Sequence, residues 1–125
     1  MYCLEREETM STPYILIDET KSYMKWKGES FPENITKTYW DIVDWVEGYM
    51  EKEFSEFVFD CELVYFNSST SKVLFKLFEK MNQAGKAKRV IVNWICSRDN
   101  DIMIEYGEDF KENFENLDFK LSYNS

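Results

Sequence analysis

The stretch Phe57-Val58-Phe59-Asp60-Cys61-Glu62-Leu63-Val64-Tyr65-Phe66 runs straight into Asn67-Ser68-Ser69-Thr70-Ser71-Lys72-Val73-Leu74. The change of period at Asn67 decides the fold. Before it, Phe57, Phe59, Cys61, Leu63 and Tyr65 alternate with other residues and share one face of a strand. After it, Val73, Leu74, Leu77, Phe78 and Met81 recur every three or four residues, the spacing of one helical face, and Gly85 ends the run as a C-cap. A strand handing over directly to a helix is the repeating unit of an α/β sheet.

Downstream, Arg89 to Cys96 reads as another strand, and its unbroken Val90-Ile91-Val92 points to burial on both faces, as in a central strand. Asp99 or Asn100 can cap a third helix carrying Ile102, Met103, Tyr106 and Phe110. Leu117, Phe119, Leu121 and Tyr123 alternate as a closing strand. Upstream, Tyr14 to Asp18 and Tyr23 to Lys27 form a hairpin. Pro32 keeps Phe31 extended in the loop Gly28 to Asn34. Asn34 then caps a helix to Met50 whose stripe is Tyr39, Trp40, Val43, Val46 and Met50. The order is β-β-α-β-α-β-α-β. Strands separated by single helices imply parallel crossovers, and the hairpin adds an antiparallel edge. The expectation is an α/β fold: one mixed sheet of about five strands with about three helices packed against it. Residues 1–125 form one domain, with 1–10 as a flexible N-terminal extension.

Of the 125 residues, 44% are apolar and 18% aromatic, enough for a core. The net charge of −9 argues against nucleic acid and anionic membranes as partners, because both need clustered Lys and Arg. No apolar run is long enough to insert in a membrane. The first residues lack the basic start and apolar stretch of a signal peptide, so a cytoplasmic location is expected. Cys3, Cys61 and Cys96 are odd in number and form no CxxC pair, which reads as reduced thiols. Histidine is absent, excluding Ser-His-Asp triads, Cys-His dyads and His-based zinc sites. Asp99, Asp101, Glu105, Glu108 and Asp109 are expected on a solvated helix face rather than as an acid–base pair. Of the four tryptophans, Trp26 or Trp45 is the candidate for a partner interface. No catalytic residue, metal ligand or cofactor is expected.

Four hydroxyl residues in a row, Ser68 to Ser71, sit where the strand meets the helix. One N-cap accounts for one of them. A helix start also leaves backbone N–H groups unpaired and carries partial positive charge, so it can receive a phosphate attached to such a hydroxyl, with Lys72 adding a cation one turn on. A Walker-type loop is excluded because no GxxxxGK pattern occurs.

Three motifs give the chain a family likeness. Ser11-Thr12-Pro13 leads into the first hairpin strand. Gly28-Glu29-Ser30-Phe31-Pro32-Glu33-Asn34 resembles G-x-S-[YF]-P-E-N. Tyr65-Phe66-Asn67-Ser68-Ser69-Thr70-Ser71-Lys72 resembles [YF]-[FL]-N-[TS]-S-S-x-K. The run Asp101 to Gly107-Glu108 also fits. On these residues the chain resembles the SiaC family of bacterial regulatory phosphoproteins, whose fold is similar to the STAS domain of anti-sigma-factor antagonists. The resemblance implies a non-enzymatic partner switch. A Ser/Thr kinase and a PP2C-type phosphatase set its state, and the unphosphorylated form binds and activates a diguanylate cyclase or similar signalling partner, promoting biofilm formation. By motif position the phosphoacceptor is Ser68, where the family often has Thr, with Ser69 and Thr70 as alternatives. Asn67, Ser69, Thr70, Ser71, Lys72, Glu29, Ser30, Pro32, Glu33 and Asn34 are the expected phosphate- or partner-binding residues. The other reading is a STAS-like module binding a small ligand or nucleotide without phosphorylation.

Overall fold

Strand order equals chain order in the computed structural model, which describes residues 1–125. The strands are β1 (Cys3–Arg6), β2 (Tyr14–Asp18), β3 (Tyr23–Ser30), β4 (Glu56–Phe66), β5 (Arg89–Cys96) and β6 (Asp118–Tyr123). The helices are α1 (Ile35–Met50), α2 (Ser68–Ala84) and α3 (Asp101–Asn113), following β3, β4 and β5. The β1–β2 and β2–β3 pairs are antiparallel; the β3–β4, β4–β5 and β5–β6 pairs are parallel. Six strands form the sheet rather than about five. The added strand is β1, inside the stretch expected as an extension. Its Arg6 bonds the Thr38 carbonyl at 2.8 Å and pairs with Asp41, tying the edge to α1.

Crossovers between parallel neighbours are right-handed almost without exception. Three in succession, all stepping the same way across the sheet, place all three helices on one face. The core lies under them. Ile15 and Ile17, Met24 and Trp26, Phe57 to Leu63 on alternate residues, Val90, Val92 and Trp94, and Phe119 meet Tyr39, Ile42 and Val46 of α1, Leu74, Leu77 and Phe78 of α2, and Met103 and Phe110 of α3. Trp94 is the hub of the α2–α3 half. Phe66, Phe78, Phe110 and Phe119 ring it at 5.5–6.4 Å, and its indole N–H donates to the Met103 carbonyl at 2.8 Å. The opposite sheet face carries no helix. Ile91, expected to be covered on both sides, points that way and is still only 8% exposed, because Val58 and Asp118 flank it on the neighbouring strands.

Two pattern readings are corrected. Trp40, placed in the buried stripe of α1, is 62% exposed; the stripe is Tyr39, Ile42, Val46, Tyr49 and Met50. One helical step of about 100° separates Trp40 from Tyr39 and swings it off the buried face. Tyr65 is 50% exposed instead of following Leu63 inward, and Phe66 is buried in its place. The cause is a β-bulge: Gly28 pairs with Leu63 but Glu29 with Tyr65, leaving Val64 over. One extra residue reverses the alternation.

Candidate phosphoacceptor site

The bulge shapes the corner where the functional motifs meet. β3 and β4 end side by side, at Ser30 and Phe66. Their following loops therefore emerge together at the carboxyl edge of the parallel strands, where α/β sheets form crevices. Gly28 has φ +126°, a conformation that side chains rarely adopt, and a Cβ there would collide with the Glu8 carboxylate. That accounts for the first residue of Gly28-Glu29-Ser30-Phe31-Pro32-Glu33-Asn34. Phe31 N–H donates to the Ser11 carbonyl at 2.8 Å, so the Ser11-Thr12-Pro13 motif abuts the same loop. The outward turn of Tyr65 places its ring 6.0 Å from that of Phe31, giving the corner an exposed aromatic pair. The carbonyl of bulged Val64 is satisfied by the Asn100 side chain at 3.0 Å, and Asn100 also caps α3.

Asn67 is the N-cap of α2. It has extended backbone (φ −86°, ψ 175°), and its Oδ1 accepts from Thr70 N–H at 2.9 Å. By helix geometry the amides of Ser68 and Ser69 have no intrahelical acceptor. The four hydroxyls behind the cap separate by position. Ser68 is exposed, Ser69 and Ser71 are half-buried, and Thr70 is fully buried. Thr70 was expected as an alternative acceptor; in this structure its hydroxyl faces the interior.

Ser30 is also fully buried, so its side chain is not part of a contact surface. It joins Thr70 and Tyr39 in a chain of hydroxyls. Thr70 Oγ1 lies 3.1 Å from the Ser30 carbonyl and 2.8 Å from Ser30 Oγ, which in turn contacts Tyr39 Oη. A carbonyl can only accept. One proton order therefore satisfies every contact: Tyr39 donates to Ser30 Oγ, Ser30 donates to Thr70 Oγ1, and Thr70 donates to the Ser30 carbonyl. The proton order makes Tyr39 the donor at the head of this chain, and burial pushes its phenol up to about 12.

The remaining expected site residues fall into two groups. Pro32 is buried, and Asn34 spends its side-chain oxygen on the N–H of Lys37 at 3.0 Å, capping α1. Glu29, Glu33 and Lys72 are exposed, and none of the three makes a side-chain hydrogen bond or ion pair. Asp99, Asp101, Glu105, Glu108 and Asp109 are exposed on the outer side of the α3 region, as the charge pattern implied. Among the tryptophans, Trp26 is fully buried and stacks on Tyr39 at 4.8 Å, and Trp45 is half-buried with its indole donating to Glu19 at 2.8 Å. The exposed one is Trp40. With Ile35, Tyr39, Val43 and Val73 it lines a groove of about 330 Å³ between α1 and α2.

The fold is a one-sided α/β sheet with an exposed serine, Ser68, at the head of α2, the arrangement expected of a small regulatory domain. Comparison with known proteins gives the family. Residues 6–123 match the SiaC family regulatory phosphoprotein pattern, and the chain belongs to that family. An uncharacterized protein of Pseudomonas aeruginosa (strain UCBPP-PA14) is 30% identical over 105 residues, 83% of each chain. The crystal structure of apo-SiaC from Pseudomonas aeruginosa superposes with TM-score 0.85 at 25% identity, covering 100% of both chains. A chain in the crystal structure of the diguanylate cyclase SiaD in complex with its activator SiaC, from the same organism, gives TM-score 0.85 at 26% identity, covering 96% of this chain and 97% of that one. No helix of this chain is long and apolar enough to cross a membrane.

Proposed function

We propose that this protein is a non-enzymatic partner switch controlled by phosphorylation of Ser68. A Ser/Thr kinase and a PP2C-type phosphatase set its state, and the unphosphorylated form binds and activates a diguanylate cyclase. The observation that carries the reading is the exposure of Ser68 at the N-terminus of α2, on the same strand–helix edge as the exposed Phe31–Tyr65 pair. Family membership and the likeness to a cyclase activator support it. Phosphorylation would bring nearly two negative charges to an edge that offers a partner apolar rings. An apolar partner surface docked there would have to bury a dianion, and an acidic one would be repelled. A loss of about 3 kcal/mol corresponds to more than a hundredfold in affinity.

The nucleotide-binding alternative has less behind it. The apolar groove between α1 and α2 has one cation among its lining residues, Lys76, which lies 3.7 Å from Glu47. A phosphate there would compete with that carboxylate.

The test is the affinity of wild type, Ser68→Ala and Ser68→Glu for a diguanylate cyclase of the same organism, measured by calorimetry with cyclase activity alongside. Wild type and Ser68→Ala should bind and activate alike, and Ser68→Glu should bind about a hundredfold more weakly. Equal binding by all three would remove the switch from Ser68.

A further inference from the structure

The four hydroxyls of the run are chemically similar, yet the fold treats them differently. The Ser30 carbonyl accepts two hydrogen bonds from this turn: Asn67 N–H at 3.0 Å and Thr70 Oγ1 at 3.1 Å. Both lone pairs of one carbonyl are thus taken by the first and fourth residues of the turn. The second and third, Ser68 and Ser69, are held between these two points, with Ser68 outward. Ser30 Oγ, Thr70 Oγ1 and Tyr39 Oη lock the clamp from below, out of water.

We propose that Thr70 is the positioning residue of the acceptor turn, its hydroxyl clamping the head of α2 to the end of β3 so that Ser68 alone is offered to a modifying enzyme. The proposal rests on the Ser68 reading above and concerns what selects that serine. Thr70 itself is withheld: presenting its hydroxyl would break its contacts with the Ser30 carbonyl and Ser30 Oγ. Without the clamp the turn keeps the Asn67 side-chain cap but loses its anchor to β3, and Ser69 gains freedom to reach the surface.

The isosteric Thr70→Val removes the hydroxyl and keeps the volume, and Thr70→Ser keeps the hydroxyl. Two readouts on the full chain separate the cases: amide hydrogen exchange of residues 68–71 by NMR, and the phosphorylation map by peptide mass spectrometry after expression in the native host. Thr70→Val should exchange about tenfold faster or more at Thr70 and Ser71, the scale of a lost buried hydrogen bond. Amides in the middle of β4 and β5 should be unmoved, and phosphate should spread from Ser68 to Ser69. Thr70→Ser should restore slow exchange and the single site. Unchanged exchange in Thr70→Val, or phosphate still confined to Ser68 despite faster exchange, overturns the proposal. If wild type carries no phosphate on Ser68, the Ser68 reading fails, and exchange alone decides the clamp. Should Thr70→Val not fold, Thr70→Ala removes the same hydroxyl without setting a methyl group against the Ser30 carbonyl, and an absence of faster exchange at Thr70 and Ser71 in that variant overturns the clamp equally.

Discussion

Replacing Gly107 with alanine sets two effects of opposite sign against each other, and the structure decides between them. Alanine in a helix interior is favoured over glycine by about 1 kcal/mol. Gly107, however, is buried where α3 crosses Trp94. An added Cβ would lie 2.6 Å from Trp94 Cδ1, 2.9 Å from its Nε1 and 3.2 Å from Leu121 Cδ1. Trp94 is 1% exposed and ringed by aromatic side chains, so it has little room to yield. Overpacking of this kind costs about 1–3 kcal/mol. A shifted indole also strains the 2.8 Å bond to the Met103 carbonyl, and a buried N–H left without a partner costs about 1–3 kcal/mol more. The expected result is a net loss of about 1–5 kcal/mol, or a Tm lower by about 3–5 °C for each kcal/mol in a domain of this size. Gly48 in α1 is the control. It is exposed, and an added Cβ meets nothing within 4 Å, so Gly48→Ala should stabilise by about 0.5–1 kcal/mol. Urea unfolding followed by tryptophan fluorescence measures both. If Gly107→Ala proves as stable as Gly48→Ala, close packing of α3 onto Trp94 is refuted.

Two further outcomes follow from buried groups. Burial raises the Tyr39 phenol to about 12, and burial together with the Asp60 hydrogen bond raises Tyr23 further. The unfolded chain titrates near 10, so the stability these phenols contribute is fully present below pH 10 and is lost as pH rises toward the folded values. Unfolding free energy measured from pH 8 to 12 should be flat and then fall, and Tyr39→Phe should soften the fall; identical curves would contradict the burial of that hydroxyl. Among the three free thiols, Cys3 is exposed while Cys61 and Cys96 are buried, and burial pushes the Cys61 thiol upward. A thiol-reactive chromophore should therefore label one cysteine rapidly in the native protein and all three in denaturant. Rapid labelling of Cys61 in native buffer would place it outside the core.

Much of the architecture is legible because periodicity is a local signal. The three helices and the strands β2 to β6 each announce their own period, and Asn34 and Asn100 cap α1 and α3 as their positions imply, whereas the cap of α2 is Asn67 and not one of the four hydroxyl residues behind it. What escapes is set by partners far along the chain. β1 has only four residues, none of them buried, so it shows no apolar alternation to distinguish it from a tail. The bulge at Val64 exists only in the pairing of β4 with β3, so Tyr65 reads as inward from its own strand alone. Trp40 is misplaced because a wide apolar stripe leaves the edge of the buried face undetermined by a few tens of degrees. At the site, the residue types of the acceptor turn are visible, but their division of labour is not. Nothing in Ser68-Ser69-Thr70 tells which hydroxyl meets Ser30, a contact spanning 40 residues.

That the strands lie in the sheet in the order in which they are made bears on how the molecule comes into being. Each α-helix and strand emerging from the ribosome finds its docking edge already exposed by the element just before it, so no gap must be held open for a late arrival. The antiparallel hairpin closes early over a short turn, whereas each parallel pairing, such as Tyr23 with Val58 or Ile91 with Asp118, waits for a whole helical crossover and forms more slowly. The growing edge moves steadily from the N-terminal hairpin toward Tyr123, and the corner that joins Ser30, Asn67 and Thr70 can form once α2 is made, with the Val64 carbonyl alone left to await Asn100.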